Sequence, residues 1–431
     1  MMLVVHPARS LKGEVLLPPS KSYSIRSVIV ASCGGRSAIS NLSSCDDARR
    51  ALEVARALGA SIKFSNHSSN LVIKANFDLN EDSYLKVNVG ESGTVLRFLL
   101  PLLALRKSSS LITGEGTLLG RPNKFLTQTL RRMGRNITGQ GSKESIPIKI
   151  NKGIVKGGNI SIDGSLSSQF ISALLISCPL LKEDTRLKIA GKKIVSAPYI
   201  TMTIHVLKKA GIKIRERSDA FYLIPGCQTF KGLKNFVVPS DYGLAAFLLA
   251  AGALTKSNLT LKGFFDDSLV QADGAILEFL RQMGVRVKKE KKSLKINGPF
   301  QLKGGNFSLK NCPDLVPVMV ILGLFARGKT RLYDVGHARV KESDRISDLR
   351  KELLKVGARI KETKDEIVIY PQEKYKQNVI LDPHHDHRLA MAFSVLGLKI
   401  GVRVKNGECV AKSYPEFVSD LKRTGVKVKK A

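Results

Sequence analysis

Six times in this chain a short polar opening runs into an apolar segment of helical length. The openings are Pro19-Ser20-Lys21-Ser22, Ser92-Gly93-Thr94, Ser167-Ser168-Gln169, Ser240-Asp241, Pro313-Asp314 and Asp386-His387-Arg388. Anchored on Ser22, Ser92, Ser168, Asp241, Asp314 and Asp386, they recur about every 70–76 residues, a period that marks repeated supersecondary units. A second signal keeps the same beat. Gly59, Gly134, Gly211, Gly284, Gly357 and Gly425 each end an amphipathic segment, and a β-type residue follows three positions later. That is the pattern of a helix, a glycine in the left-handed region just past its end, and a strand. The chain is therefore expected to be an α/β (α+β) protein built from six copies of one unit.

With 431 residues, two to four domains are expected. Two Pro-Ser crossings, Pro18-Pro19-Ser20 and Val238-Pro239-Ser240, set the boundaries. Residues 19–238 make a first globe of three repeats; residues 1–18 and 239–431 make a second. Met1 to Leu17 reads as one or two strands. Hydrophobic and charged contents of 43% and 25% are those of a soluble globular protein. The net charge of +34 points to nucleic acid, an acidic surface or small anionic substrates as partners. Because the lysines are dispersed, most read as a solvated surface. The six cysteines form no C-x-x-C pair, as expected in a reducing compartment. There is no signal-peptide layout, and the longest helix-like apolar run, Leu244 to Leu254, is too short to span a bilayer. A cytoplasmic location is expected.

The first opening reads as an anion seat. Ser20 or Ser22 caps a helix whose N-terminus carries unpaired N–H groups and a partial positive charge. Lys21 and Arg26 add cations with no acid nearby in the sequence. The plainer reading is an ordinary capped helix with basic residues in solvent. In the second repeat, Gly90 and Gly93 let a ligand approach the backbone, and Arg97 lies one turn into the helix. The Gly-rich loop from Thr113 to Pro122 is expected to move and to carry Arg121 to a site. Asp163 to Phe170 makes an uncharged seat in the third repeat, followed by the helix start Ser196-Ala197-Pro198-Tyr199. The second half instead opens its apolar helices on Asp241, Asp314 and Asp386, which read as routine caps. Lys341 and Arg345, four apart, share a helix face if the helix has begun, with Glu342 beside them, and by spacing alone this is a charged helix start. His384-His385-Asp386-His387 has metal-site composition, but adjacent Arg388 would repel a cation and no other His or Cys cluster supplies ligands. No metal is expected.

Eight motifs in register with the repeat carry a family resemblance. Pro19-Ser20-Lys21-Ser22, Ser92-Gly93-Thr94 with Arg97, Gly120-Arg121-Pro122, Ser167-Ser168-Gln169-Phe170, Pro313-Asp314, Arg339-Val340-Lys341-Glu342-Ser343-Asp344-Arg345, Asp386-His387-Arg388 and Ala411-Lys412-Ser413 follow in this order over nearly the whole chain. Together they closely resemble the 5-enolpyruvylshikimate-3-phosphate synthase family, the 3-phosphoshikimate 1-carboxyvinyltransferases. The resemblance implies an inside-out α/β barrel fold, with three repeats in pseudo-threefold arrangement in each of two globes. It also implies helix N-termini that face a cleft, a monomer, and no metal or organic cofactor. Its substrates would be shikimate 3-phosphate and phosphoenolpyruvate, and its products an enolpyruvyl ether and phosphate, on the shikimate route to chorismate and aromatic amino acids.

By that resemblance, Lys21, Ser22, Arg26, Ser167, Ser168, Gln169, Ser196, Asp314 and Lys341 hold shikimate 3-phosphate, and Tyr199 packs on its ring. Lys21, Gly93, Arg97, Arg121, Gln169, Arg345, Arg388 and Lys412 hold phosphoenolpyruvate. Asp314 would accept the proton of the 5-hydroxyl, Glu342 would protonate the methylene carbon, and Lys21 would assist the leaving phosphate. Five positions depart from the family's habits. Glu91 stands where Asn is common, Phe98 for Pro, His337 for Asn, and Tyr242-Gly243 for small residues. Glu91 is expected to pair with Lys21 or an Arg and so to oppose phosphoenolpyruvate. The alternatives are the sister transferase acting on UDP-N-acetylglucosamine, which usually carries a Cys in the loop that has none here, and a basic nucleic-acid-binding or RNA 3′-phosphate cyclase-like protein. Few aromatics and no Trp weigh against the latter.

Overall fold

The computed structural model describes residues 1–65, 69–191, 193–218 and 220–431. In chain order its α-helices are α1 (Lys21–Ser32), α2 (Asp46–Ala57), α3 (Gly93–Leu105), α4 (Lys124–Arg132), α5 (Ser168–Ser177), α6 (Ala197–Lys209), α7 (Tyr242–Leu254), α8 (Ala275–Gln282), α9 (Val316–Leu324), α10 (Arg345–Lys355), α11 (His387–Ile400) and α12 (Phe417–Arg423). They alternate between two kinds. The odd-numbered helices are buried nearly all round, as helices inside a core are. The even-numbered helices bury one face only. Every helix of the second kind ends on one of the glycines of the repeat, whose φ values are 89, 104, 86, 88, 85 and 95° in chain order. Each glycine N–H donates back into the last turn, and the following N–H reaches one carbonyl deeper, as from Gly59 to Arg56 and from Ala60 to Ala55. This is the Schellman arrangement, repeated six times.

A prediction follows at Gly59. Nothing lies within 4 Å of where a Cβ would stand, so Gly59→Ala meets no clash and pays only for its φ of +89°. The left-handed region costs an L-residue roughly 1–2 kcal/mol. Urea unfolding of Gly59→Ala should give a stability lower by that amount, and an unshifted midpoint would contradict it.

Among the described residues the strands form six four-stranded sheets of one plan: a parallel pair, then two antiparallel strands. In the second repeat Leu85–Asn88 runs parallel to Ser110–Thr113, followed by Ser145–Ile150 and Ile137–Gln140. Three sheets complete themselves with distant segments. Phe236–Val237 supplies the outer strand beside Gly35–Ser40 in the first repeat. The chain's start serves two others: Leu11–Leu16 lies parallel to Ser257–Lys262, and Leu3–Val5 sits between Val402–Val404 and Val428–Lys430. Met1 to Leu17 therefore does hold two strands.

Contacts divide the chain into two units. One comprises Pro19–Val238 with Ser268–Val270; the other comprises Met1–Pro18, Pro239–Asp267 and Gln271–Ala431. Residues 268–270 join the first because the Tyr23 hydroxyl donates to the Val270 carbonyl at 3.0 Å. Within the first unit α1, α3 and α5 pack together, and within the other α7, α9 and α11 do. Cys33, Cys45 and Cys178 are buried in the first unit. Burial pushes the Cys45 thiol up to about 11 and the Cys178 thiol to about 12, so both remain protonated at neutral pH. Among the described residues no helix is long and apolar enough to cross a membrane.

Candidate functional site

In the unit built on residues 19–238, side-chain oxygens cap all three buried helices. Ser20 accepts from the Tyr23 N–H, Ser92 from Val95 and Ser167 from Gln169. Ser20, not Ser22, is the cap of α1. Lys21, the first residue of that helix, is not free of acids as its sequence surroundings suggest. Its Nζ lies 3.1 Å from Asp47 Oδ2, and both side chains are largely buried. Asp47 comes from the first turn of α2, where the helix dipole favours a carboxylate.

Arg26 is buried. Its Nε donates to Thr203 Oγ1 at 2.8 Å, Nη1 to the Ser22 carbonyl at 3.0 Å and Nη2 to the Tyr199 carbonyl at 3.2 Å. The guanidinium lies over the rings of Phe98 and Tyr199. Burial lowers its pKa to about 10, which leaves it charged at neutral pH. Phe98, the departure from Pro, thus supplies an aromatic face to a buried cation. Ser196 precedes α6 in the left-handed region, at φ 56°. It is buried, and among the described residues its hydroxyl has no hydrogen-bond partner.

At the start of α3 several expected residues converge. Arg97 donates from Nη1 to Gln169 Oε1 at 2.5 Å, from Nη2 to the Pro122 carbonyl at 3.1 Å and from Nε to Asn123 Oδ1 at 3.4 Å. The Gln169 amide in turn donates to Thr94 Oγ1 at 2.9 Å, joining the N-termini of α3 and α5. Gly93 has no side chain because Arg121 occupies the space: a Cβ there would stand 2.8 Å from the guanidinium carbon. The loop that carries Arg121 is more tightly held than its glycines suggest. Leu118 is buried, Gly116–Leu118 forms a 3-10 turn, and a Cβ on Gly114 would stand 2.6 Å from the Gly90 carbonyl oxygen. Gly114 permits close packing rather than motion. In the third repeat Ser165, within the stretch read as an uncharged seat, donates to Asp163 Oδ1.

In the other unit, Asp241 and Asp386 cap α7 and α11. Asp314 is no cap. It lies in the 3-10 turn Pro313–Leu315 before α9, and its carboxylate is taken by two arginines. Arg345 Nη1 is 2.7 Å from Asp314 Oδ1, and Arg388 Nη2 is 2.8 Å from Oδ2. Arg345, at the head of α10, is 1% exposed and meets two more acids: Glu342 Oε2 at 2.9 Å and Asp386 Oδ2 at 2.7 Å. One guanidinium thus organises three carboxylates, and Arg345 is held well above its ordinary value despite burial, chiefly by Asp386, Asp314 and Glu342. Burial pushes the Asp314 carboxyl up, but Arg388, Arg345 and Lys341 outweigh it and hold Asp314 well below the usual range. The charged helix start is therefore a buried ionic network. Gly243 makes room in it, since a Cβ there would stand 2.5 Å from Asp273 Oδ2 and 3.1 Å from Arg388 Nη1. Lys412 is buried at the end of the 3-10 segment Gly407–Lys412, which packs on α11. Arg339 serves structure, bonded to both Asp344 oxygens at 3.0 and 2.9 Å.

His384 and His385 turn the backbone at φ 51 and 58°, and His384 Nε2 lies 3.6 Å from Glu352 Oε1. Among the described residues no group of three or more His, Cys, Asp or Glu is placed to hold a metal.

Comparison with known proteins adds breadth. The family model described as EPSP synthase (3-phosphoshikimate 1-carboxyvinyltransferase) matches residues 5–421. A protein of Methanocaldococcus jannaschii named 3-phosphoshikimate 1-carboxyvinyltransferase is 37% identical, covering 99% of both chains. A Methanosarcina acetivorans protein of the same name is 36% identical, covering 97% of both. Among solved structures, EPSP synthase from Acinetobacter baumannii superposes with a TM-score of 0.78 at 25% identity, covering both chains in full.

Proposed function

The chain belongs to the EPSP synthase family, and from that premise we infer that it transfers the enolpyruvyl group of phosphoenolpyruvate to the 5-hydroxyl of shikimate 3-phosphate and releases phosphate. The observation that carries the reading is the pair Asp314 and Glu342, held on one buried arginine in a chain that matches the family almost end to end. Addition across the double bond of an enol phosphate needs a base for the attacking hydroxyl and an acid for the methylene carbon. In this reading Asp314 takes the proton of the 5-hydroxyl as its oxygen bonds to C2 of phosphoenolpyruvate. Glu342 delivers a proton to C3. The tetrahedral ketal then collapses as the C2–O bond to phosphate breaks and C3 returns a proton, with Lys21 beside the leaving phosphate.

Binding follows from charge. Both substrates are polyanions, suited to helix N-termini and to Lys and Arg. We assign Lys21, Ser22, Arg26, Ser167, Ser168, Gln169, Ser196, Tyr199 and Lys341, with Asp314, to shikimate 3-phosphate. The buried Ser196 hydroxyl, without a partner among the described residues, supports its place there. Gly93, Arg97, Arg121, Arg345, Arg388 and Lys412, with Lys21 and Gln169, are assigned to phosphoenolpyruvate. For Arg26, Arg97 and Arg345 the hydrogen bonds within the protein support a role in shaping the pocket as much as in touching ligand. A cytoplasmic monomer is part of the same reading.

The test is phosphate release from phosphoenolpyruvate. It should require shikimate 3-phosphate and should not occur when UDP-N-acetylglucosamine replaces it. Release that is indifferent to shikimate 3-phosphate, or supported by the nucleotide sugar, would overturn the assignment.

A further inference from the structure

We propose that Glu91 is a positioning residue, which straps the Thr113–Pro122 loop to the start of α3 and thereby sets Arg121. The proposal rests on the reading above for what Arg121 does, and on geometry for how it is held. The Glu91 Oε2 atom accepts two hydrogen bonds from one loop residue, from the Thr117 N–H at 3.0 Å and from Thr117 Oγ1 at 2.8 Å. Gly116 lies against the same carboxylate. A Cβ at Gly116 would stand 2.5 Å from Oε1, and its φ of +55° also favours glycine. The loop thus presents a bare backbone turn and a hydroxyl to one acid.

The far end of the loop is fixed as well. The Arg121 carbonyl accepts from Ser145 Oγ at 3.1 Å and from Asn123 Nδ2 at 3.1 Å, and its guanidinium fills the space left by Gly93. Glu91 and Gly93 are two residues apart at the head of α3, so a single turn of backbone holds the loop with one side chain and receives its arginine on the other. A carboxylate at this position is therefore not simply a charge opposed to an anion. Without it the 3-10 turn Gly116–Leu118 keeps the buried Leu118 but loses the contacts that orient its exposed side.

The experiment has two readouts. The chain has no Trp, and Leu119 is 53% exposed, so Leu119→Trp gives a single reporter in the loop. In the ligand-free reporter chain, Glu91→Ala should lower Trp anisotropy and Glu91→Gln, which keeps an acceptor, should restore most of it. In turnover, Glu91→Ala should raise KM for phosphoenolpyruvate on the order of 10–100-fold, the scale expected when a positioning contact is lost. KM for shikimate 3-phosphate should change less than about threefold, and Gln should recover most of the effect. Thr117→Val, which keeps the backbone N–H, should give a smaller loss that is not additive with Glu91→Ala. Unchanged anisotropy in Glu91→Ala would overturn the strap. Lower anisotropy with an unchanged or lower KM for phosphoenolpyruvate would overturn its link to Arg121. If the parent chain shows no shikimate 3-phosphate-dependent turnover, the functional reading fails while the anisotropy still decides the strap.

Discussion

Asp314→Asn and Glu342→Gln should each fold and each lose about 10²–10⁴-fold in turnover, the usual contribution of a positioned acid or base. Both replacements keep an oxygen for Arg345, so the buried guanidinium is not stripped of partners. The loss should fall on kcat, since Asn and Gln preserve the shape of the network while removing the proton acceptor and donor. The environment of Asp314 sharpens the expectation. In the free chain two arginines and Lys341 hold its carboxyl well below its ordinary value of 3.8, which makes it a weak base. Polyanionic substrates that share those cations would raise it toward a useful value. The acidic limb of kcat/KM, which reports the free enzyme, should then show no Asp314 titration above 3.8, whereas the limb of kcat should sit higher. Steady-state kinetics over pH with circular dichroism of each variant would check this. Turnover within a few-fold of the parent in both variants would remove the pair from the mechanism.

The repeat was readable because both of its signals are local. A C′ glycine and a capping hydroxyl act within one turn, so their spacing in sequence is their spacing along the fold, and all six glycines adopt the positive φ their position implies. The first-half caps were readable for the same reason. What escaped was everything that depends on a second segment. Asp47 reads as a favourable charge on a helix dipole, and only the packing of α2 beside α1 puts it on Lys21. Asp314 reads as a cap by analogy with Asp241 and Asp386, yet the intervening 3-10 turn directs it to Arg345 and Arg388. Thr117 and Asn123, which hold the Arg121 loop and Arg97, carry no signal of their own. The loop's glycines read as a sign of motion because sequence cannot distinguish a glycine needed for freedom from one needed for close approach, as Gly114 is. The eight motifs located the expected site residues; they did not show that several of those residues spend their hydrogen bonds on one another.

Arg345→Met should destabilise the chain by about 3–5 kcal/mol at neutral pH, the range seen when one partner of a buried ion pair is removed. Arg345 is 1% exposed, and its loss leaves Glu342 and the fully buried Asp386 without the guanidinium that now bonds them, while Asp314 keeps Arg388. Methionine fills much of the volume, so the penalty is electrostatic rather than a cavity. The sign with pH follows from Asp314. Its folded pKa is depressed, so its contribution is complete above the unfolded value and is lost as pH falls toward the folded one. In Arg345→Met that depression is smaller, so the parent's advantage is complete at neutral pH, persists as pH falls through 3.8, and shrinks only below the variant's own folded value, where its carboxylate takes a proton that the parent's does not. Urea unfolding at neutral and acidic pH measures the difference directly. A penalty below about 1 kcal/mol at neutral pH, the value of an exposed pair, would show that the network is open to water and contributes little to the fold. A penalty that grows on acidification would mean that the arginine is not there to neutralise Asp314. The destabilised variant should also lose activity beyond what its unfolded fraction explains, because Asp314 and Glu342 would no longer be held on a common group.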